Sequence, residues 1–249
     1  MQRLLAPNLL LLPRWPSSVP ADAKRLILIR HAEGWHNKDY NEKPNYMADG
    51  LGETEAYWDA RLTPDGVKQT EALEAKLKPH ASTVQLVTSS PLTRALQTAS
   101  IAFPDRSKGH VRFVATSLAR ERVWNHQCDR RRARTDISAE FPHFDFSEIA
   151  DGADEMWPHK ETEPSPFNSS AVRVRAREML QWIWARPESG PIAVVSHWVF
   201  LTHLLGLFNE TEGLAADIGN ADMRMVTLLR APDESDDKSK EPERGREEL

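Results

Sequence analysis

Arginine and histidine side chains stand just after several short apolar segments of this sequence. Those with a chemical role to consider are Arg30, His31, Arg94 and His197. Arginine forks suit phosphate oxygens, and a neutral imidazole can act as a nucleophile. Each residue alone has an ordinary explanation, since histidines in loops and arginines near helix starts are common. Gathered at one place, they would form an anion site, because a bound anion relieves the repulsion between like charges.

The segments that position these side chains have the pattern of an α/β protein. Short apolar, largely β-branched runs predict strands at Leu26–Ile29, Val84–Val87, Val111–Ala115, Ile192–Val195 and Met223–Leu229. Helices are predicted from Thr63-Pro64, from Ser90-Pro91, over Val172–Ala185 and over Phe200–Leu207. This alternation predicts a three-layer α/β/α fold with a mostly parallel central sheet. Ligands of such sheets bind beyond the carboxyl ends of the strands, where the polar groups should meet.

Composition limits the classes of partner. The chain has 249 residues and a formal net charge of -5, which gives no general attraction to nucleic acid or to an anionic membrane. No apolar run is long enough to span a bilayer. Cys128 is the single cysteine, so we expect no intrachain disulfide, no cysteine-based zinc site and a reducing, cytoplasmic location.

The two ends of the chain differ from its middle. Residues 1–23 contain early arginines and several prolines, and we interpret them as a disordered or targeting leader; a transit peptide would place the protein in an organelle. The domain should cover 24–230. Within it, 103–170 has few periodic runs and many charges, so we expect an insertion that covers the active site. Residues 231–249 are acidic and should be disordered.

In this order, the motifs resemble those of the histidine phosphatase superfamily, the phosphoglycerate mutase-like group. They are Arg30-His31-Ala32-Glu33 with Asn37, LTPDG at 62–66, SSPLTRALQTA around Arg94, LARER around Glu121, VVSH ending at His197 and GNADMR around Asn220. NHQCDRRR, FPHFDFSEI and WIWARPESGPIAVVSH are similar to plant and microbial phosphoglycerate mutase-like proteins. The family usually has glycine where this chain has Ala32, and small residues where it has Trp198 and Val199. Alanine is tolerated there if its φ is negative.

The resemblance implies a set of catalytic roles. His31 would attack phosphorus and form a phosphohistidine, while Arg30, Arg94 and His197 hold the phosphoryl oxygens. Asn37 would donate to the same group. Glu121 would protonate the leaving alkoxide and then take a proton from water, for which its pKa must be raised. The alternative for Glu121 is a surface glutamate between two arginines, and for Glu33 a local hydrogen-bond partner of the loop.

Three further side chains are predicted to contact the substrate. Arg131 and Arg132 belong to a basic stretch of the insertion, and one or both could hold a second anionic group. This favours a small phosphorylated acid, or a molecule with more than one phosphate. The alternative is a solvated, salt-bridged surface. Trp198 would narrow the pocket or stack on the substrate, or else simply pack at a helix start.

The function predicted on these grounds is hydrolysis of a phosphomonoester, a small phosphorylated metabolite, through a phosphohistidine on His31. Two alternatives stay open: a phosphoglycerate mutase-type phosphotransferase, and a non-catalytic phospho-ligand-binding protein. His36 and His126 have no spacing typical of a metal pair, so we predict no metal and no organic cofactor. We expect neither nucleic acid nor a membrane as partner.

Overall fold

A central sheet organises the chain. The computed structural model describes residues 9–12, 14–104, 111–161, 166–208 and 218–230. The strands are β1 (Leu9–Leu12), β2 (Lys24–Arg30), β3 (Leu86–Ser89), β4 (Arg112–Ala115), β5 (Ile192–Ser196) and β6 (Met223–Arg230). They form one sheet in the order β1-β6-β2-β5-β3-β4. Pairings from β2 through β5 and β3 to β4 are parallel, and β6 is antiparallel to both of its neighbours.

Helices cover both faces of this sheet. They are α1 (Trp35–Glu42), α2 (Pro64–Ala81), α3 (Thr93–Ala102), α4 (Arg134–Glu140), α5 (Ser170–Trp184) and α6 (Trp198–Leu205). Successive side chains of a strand point to opposite faces. Accordingly, Ile27 and Ile29 pack with residues of α2 and α3, whereas Leu26 and Leu28 pack with residues of α5 and α6. The predicted three-layer α/β/α fold with a mostly parallel sheet is confirmed.

The register of the parallel strands brings the two histidines together. Arg30 at the end of β2 is paired with Ser196 at the end of β5. The backbone N–H of His31 donates to the carbonyl oxygen of Ser196 at 2.9 Å. Because the two strands run in the same direction, His31 and His197 leave the sheet side by side at its carboxyl edge. Strand β3 adjoins β5, so α3 presents Arg94 at that edge as well.

The predicted strands and most helix signals are present. Thr63 caps α2, and its hydroxyl accepts a hydrogen bond from the Gly66 backbone N–H at 2.9 Å, as the Thr-Pro signal predicts. Helix α3 begins at Thr93, later than the Ser90-Pro91 signal indicates, because residues 90–92 remain in extended or turn conformation. Helices α1 and α4 were not predicted, since neither shows a clear apolar stripe.

Part of residues 1–23, which the sequence predicts as a disordered or targeting leader, is ordered, and the targeting alternative stays a prediction. Leu9–Leu12 forms the edge strand β1, antiparallel to β6, and the Leu11 side chain is fully buried. The indole N–H of Trp15 donates to the carbonyl oxygens of Leu26 and Val226. The leucine run therefore completes the sheet. Residues 1–8 and the predicted acidic tail 231–249 lie outside the described residues.

The segment after β4 wraps over the carboxyl edge with little regular structure. Buried ion pairs hold it: Arg120 and Asp154 meet at 2.6 Å, and both side chains are almost inaccessible. Burial by itself would raise the pKa of Asp154, but the hydrogen bonds and charge of Arg120 lower it below its ordinary value. Across the described parts of the chain, no helix is long and apolar enough to cross a membrane.

Candidate functional site

A cavity of about 650 Å³ opens where β2, β3 and β5 end. Its walls include most of the side chains that the sequence singles out: Arg30, His31, Asn37, Arg94, Glu121 and Trp198. His197 stands beside them, fully buried, with its ring centroid 4.9 Å from that of His31. The structure thus brings together two guanidinium groups, two imidazoles and one carboxyl group from four distant parts of the sequence.

The hydrogen bonds of His31 determine its tautomer. Its Nδ1 lies 2.7 Å from the carbonyl oxygen of Ala32, which can only accept, so Nδ1 carries the proton. The other nitrogen, Nε2, then has a free lone pair, which accepts a 3.2 Å hydrogen bond from Nε of Arg94. Burial, and next the charge of Arg94, hold the pKa of His31 well below its ordinary value. His31 is therefore neutral at physiological pH, with an unprotonated Nε2.

Arg94 is held on three sides. Besides His31, its Nη1 donates to the carbonyl oxygen of Cys128, and its Nη2 donates to Oδ1 of Asp129 at 2.8 Å. A guanidinium has five N–H groups, so two remain for a bound anion. Asp129, only 6% exposed and part of the cavity wall, fixes the orientation of this fork.

Arg30 and His197 complete the anion-binding side of the cavity. Nη1 of Arg30 donates to the carbonyl oxygen of Ile218 at 2.8 Å. The other N–H groups of this guanidinium remain for the cavity, whose wall includes Arg30. In the described residues, neither ring nitrogen of His197 has a hydrogen-bond partner. Burial and the charge of Arg94 keep the pKa of His197 well below its ordinary value. A buried ring without partners is costly, and phosphoryl oxygens would supply acceptors for it.

Two amide side chains are linked at the start of α1. Oδ1 of Asn37 accepts hydrogen bonds from the Gly34 backbone N–H at 3.1 Å and from Nδ2 of Asn220 at 3.4 Å. Asn220 also donates to the carbonyl oxygen of His31 at 3.1 Å. Because the oxygen of Asn37 is occupied, its Nδ2 group is the end available to the cavity. The amide can therefore donate to an anion beside His31.

Glu121 is anchored to the N-terminus of α6. Oε1 accepts from the backbone N–H groups of Arg122 at 2.9 Å and Phe200 at 3.2 Å, and Oε2 accepts from that of Val199 at 3.2 Å. Desolvation raises the pKa of Glu121, and the negative charge of Asp129 raises it further. A carboxyl group with a raised pKa inside a cavity suits general acid–base chemistry.

The structure directs Arg131 and Arg132 away from the cavity, which corrects their assignment to the substrate. Arg131 is 1% exposed, and its guanidinium donates hydrogen bonds to backbone carbonyl oxygens and to the Glu155 carboxylate, with which it pairs at 2.5 Å. Arg132 pairs with Asp59 and Glu140, both at 2.9 Å. A run of arginines does not reveal which of its members have partners, and here the carboxylate partners lie 8 to 73 residues away.

The departures from the expected motif are accommodated. Among the described non-glycine residues, a positive φ occurs at Asp59 and Ala221, so Ala32 has the negative φ that alanine requires. Its side chain is fully buried in the core. The Glu33 carboxylate accepts from the Thr63 hydroxyl at 2.6 Å, which supports the local hydrogen-bond alternative. Trp198 is the first residue of α6 and contributes to the cavity wall.

His126, Cys128 and Asp129 place possible metal-ligand atoms within 4.8 Å of one another. This juxtaposition was not expected from the sequence. The Asp129 carboxylate, however, is paired with Arg94, whose positive charge opposes a cation at the same place. Burial raises the pKa of the Cys128 thiol well above its ordinary value, which disfavours the thiolate that binds metals. We assign no metal role to this group.

Three residues line the cavity although the sequence predicts no role for them in the site. They are His36, Asp129 and Asn220. Asn220 stood within a recognised motif but without a role, and Asp129 lay in an irregular segment where no periodic pattern marks burial. His36 lies 5.8 Å from His31 between ring centroids, and burial together with Arg94 lowers its pKa well below the ordinary value. Its signal, an imidazole six residues after a strand end, is too common to stand out.

Solved structures share this fold. The chain is similar to mycobacterial hydrolase 1, with a TM-score of 0.50 at 21% identity over 82% of this chain and 91% of that one. It is similar to mycobacterial hydrolase 2 at a TM-score of 0.50 and 20% identity, over 85% of this chain and 84% of the other. At these identities the likeness concerns the fold alone.

Sequence comparisons identify the family. Two curated Arabidopsis thaliana proteins are similar over most of both chains. A phosphoglycerate mutase-like protein is 33% identical over 244 residues, which covers 83% of this chain and 84% of the relative. Phosphoglycerate mutase-like protein 1 is 32% identical over 241 residues, which covers 83% and 81%. The family model of the histidine phosphatase superfamily (branch 1) matches residues 26–232. The chain therefore belongs to the histidine phosphatase superfamily, and its relatives include phosphoglycerate mutase-like proteins.

Proposed function

We propose that this protein is a phosphomonoesterase that works through a phosphohistidine on His31. The observation that carries the proposal is the environment of His31. Its Nδ1 donates to the Ala32 carbonyl oxygen, and its unprotonated Nε2 accepts a hydrogen bond from Nε of Arg94 at the cavity wall. A neutral imidazole oriented in this way, among groups that bind anions, is arranged for attack on phosphorus.

In the first step, Nε2 of His31 forms a bond to phosphorus while the bond from phosphorus to the ester oxygen breaks. Arg30, Arg94 and His197 stabilise the charge spread over the equatorial oxygens. As the imidazole becomes positively charged, the carbonyl oxygen of Ala32 stabilises the Nδ1 proton. This step needs the free lone pair, so the hydrogen bond from Arg94 Nε to His31 must be given up as the phosphoryl group approaches.

Glu121 supplies the proton for the leaving oxygen. Oε1 already accepts two backbone hydrogen bonds, whereas Oε2 accepts one, so Oε2 is the oxygen with room for the proton. In the second step, the Glu121 carboxylate takes a proton from water, the water oxygen bonds to phosphorus and the bond to His31 breaks. Inorganic phosphate and neutral His31 are released.

Phosphate release from a panel of phosphomonoesters tests the proposal, with wild type compared with His31→Ala. We expect release by wild type and its loss in the variant, together with a phosphohistidine trapped by quenching without acid. Wild-type activity that survives His31→Ala would refute the nucleophile. The absence of release, with vanadate binding retained, would instead support a binding protein.

The names of the relatives give a specific reason to test a mutase. Such an enzyme would return the phosphoryl group to a substrate oxygen rather than to water. Adding 2,3-bisphosphoglycerate together with 3-phosphoglycerate distinguishes the two reactions. Interconversion of phosphoglycerate isomers at a rate exceeding phosphate release would favour the mutase, and we expect the opposite ratio.

A further inference from the structure

The cavity is much larger than a phosphoryl group requires. Its volume of about 650 Å³ lies within the range of sites that enclose drug-sized ligands, roughly 300–1,000 Å³. Away from His31, Arg30 and Arg94, the cavity wall includes large aromatic and apolar side chains from three parts of the chain. They are Tyr40, Tyr46, Met47, Trp124 and Trp198.

On the side of α1, the cavity wall contains the exposed ring of Tyr40, which packs on the buried ring of Tyr46. Tyr40 is 57% exposed, and it meets Tyr46 edge to face with ring centroids 5.7 Å apart. Tyr46 is 4% exposed and packs in turn against Tyr57 at 5.5 Å. Met47, next in sequence, is 53% exposed. Exposed apolar side chains that cluster at a cavity mark a binding surface more often than scattered ones do.

The wall formed by the insertion is also held in place. The guanidinium of Arg122 lies 4.8 Å from the Trp124 ring centroid, and its Nε donates to Glu161 at 3.1 Å. The imidazole of His126 lies 5.9 Å from Trp124 between ring centroids. These contacts restrain the indole: the Arg122 guanidinium lies over the ring, and the half-buried side chain remains part of the cavity wall. Trp198 adds a second indole from the start of α6.

We propose that the natural substrate is a phosphomonoester whose alcohol part carries a flat aromatic or conjugated ring. The phosphoryl group lies at His31, and the ring lies against Tyr40, Trp124 and Trp198. This inference rests on the proposed function and deepens it. A short polar alcohol, such as a phosphorylated hydroxy acid, would leave these rings in contact with water and gain nothing from them. A phosphorylated acid was expected to bind its second anionic group through Arg131 and Arg132, but these side chains pair with Glu155 and Asp59.

Two alkyl phosphates with similar leaving groups provide the test. We expect kcat/KM for 2-phenylethyl phosphate to exceed that for ethyl phosphate by about 10- to 100-fold, the range expected for burying one phenyl ring. The Trp124→Ala and Tyr40→Ala variants should each bring this ratio toward one. Trp58→Ala is the control: Trp58 is 44% exposed and is not part of the cavity wall, so the ratio should stay as in wild type.

A binding measurement on the wild type keeps the test independent of variant folding and of turnover. Calorimetry should give benzylphosphonate a dissociation constant about 10- to 100-fold lower than that of methylphosphonate. Equal values of kcat/KM for the two esters, or equal affinities for the two phosphonates, would overturn the aromatic site. A preference for 3-phosphoglycerate over 2-phenylethyl phosphate would do so as well. A benzylphosphonate preference without hydrolysis of either ester would uphold the ring site while the phosphomonoesterase proposal failed.

Discussion

Replacement of Glu121 by glutamine tests the proton-transfer step most directly. The side chain keeps its shape but has no acidic proton, so a substrate with an alkoxide leaving group loses its general acid. We expect kcat/KM for such a substrate to fall by about 10²- to 10⁴-fold. At about 1.4 kcal/mol for each factor of ten, this corresponds to roughly 3–5.5 kcal/mol of barrier.

The same substitution has a stability cost that follows from the three backbone contacts. Both bonds to Oε1, from Arg122 and Phe200, survive if the amide oxygen takes that place. The amide nitrogen then faces the Val199 backbone N–H, which loses its acceptor. A buried N–H group left without an acceptor costs about 1–3 kcal/mol. Thermal unfolding should therefore shift by about 2–4 °C per kcal/mol, and activity is to be measured below that transition.

The assay compares two substrates that differ in the need for a proton. Nitrophenolate leaves without protonation, so the loss with 4-nitrophenyl phosphate should be less than about tenfold in the first step. Hydrolysis of the phosphohistidine still needs a base, so the intermediate should accumulate as a burst of nitrophenol. In wild type, Glu121 acts as acid only when protonated, so kcat/KM for the alkyl ester falls as pH rises through its raised pKa. This basic limb should vanish in Glu121→Gln.

Equal losses on the two substrates, or a basic limb that persists in Glu121→Gln, would refute the assignment. His31 contributes no competing limb near neutral pH, since its pKa lies well below the ordinary value and it stays neutral. Glu148→Gln is the matched control. Glu148 is exposed and accepts hydrogen bonds from Trp182 and Arg186 on the outside of the molecule. Its activity and pH profile should equal those of wild type.

Two further substitutions test the surroundings of the site. Asp129→Asn removes a negative charge that raises the pKa of Glu121 and leaves Arg94 uncompensated, so the basic limb of kcat/KM should move to lower pH; an unchanged pH–rate profile would contradict this electrostatic role. Gly66→Ala would usually favour a helix, but here the added Cβ would lie 2.1 Å from the carbonyl oxygen of Glu33. We expect a loss of about 1–3 kcal/mol in the free energy of unfolding, measured with denaturant, and an increase in stability would contradict the predicted clash.

The local sequence pattern was sufficient to predict the strands that position the site. The segments that form β2 and β5 are short, apolar and β-branched, and polar residues end them, so both strands and their chemical ends can be read from the chain. Parallel strands place their carboxyl ends at one edge, which predicts that Arg30, His31 and His197 meet. Motif order added Arg94 and Glu121, which the structure also brings to the cavity.

Which side chains are buried, and which partners they bond to, could be seen only in the tertiary structure. The leucine run at 9–12 is indistinguishable in sequence from part of a leader, and it becomes a strand only because β6 offers an unpaired edge. In sequence, Arg131 cannot be distinguished from an exposed arginine. Only the folded chain shows that its guanidinium is bonded to Glu155 and to backbone carbonyl oxygens. Nothing in the local sequence records such partners.

The sequence by itself predicted strands β2 to β6 and the meeting of Arg30, His31 and His197, because apolar runs mark strands and parallel strands end at one edge. The roles expected of His31, Arg94 and Glu121 came from the resemblance to the family and not from periodicity. Tertiary structure decided the rest: the tautomer of His31, the pairing of Arg94 with Asp129 and the anchoring of Glu121 at α6. These features depend on an irregular segment closing over the sheet edge. Their contacts join residues up to 79 positions apart, and only packing specifies which side chain meets which.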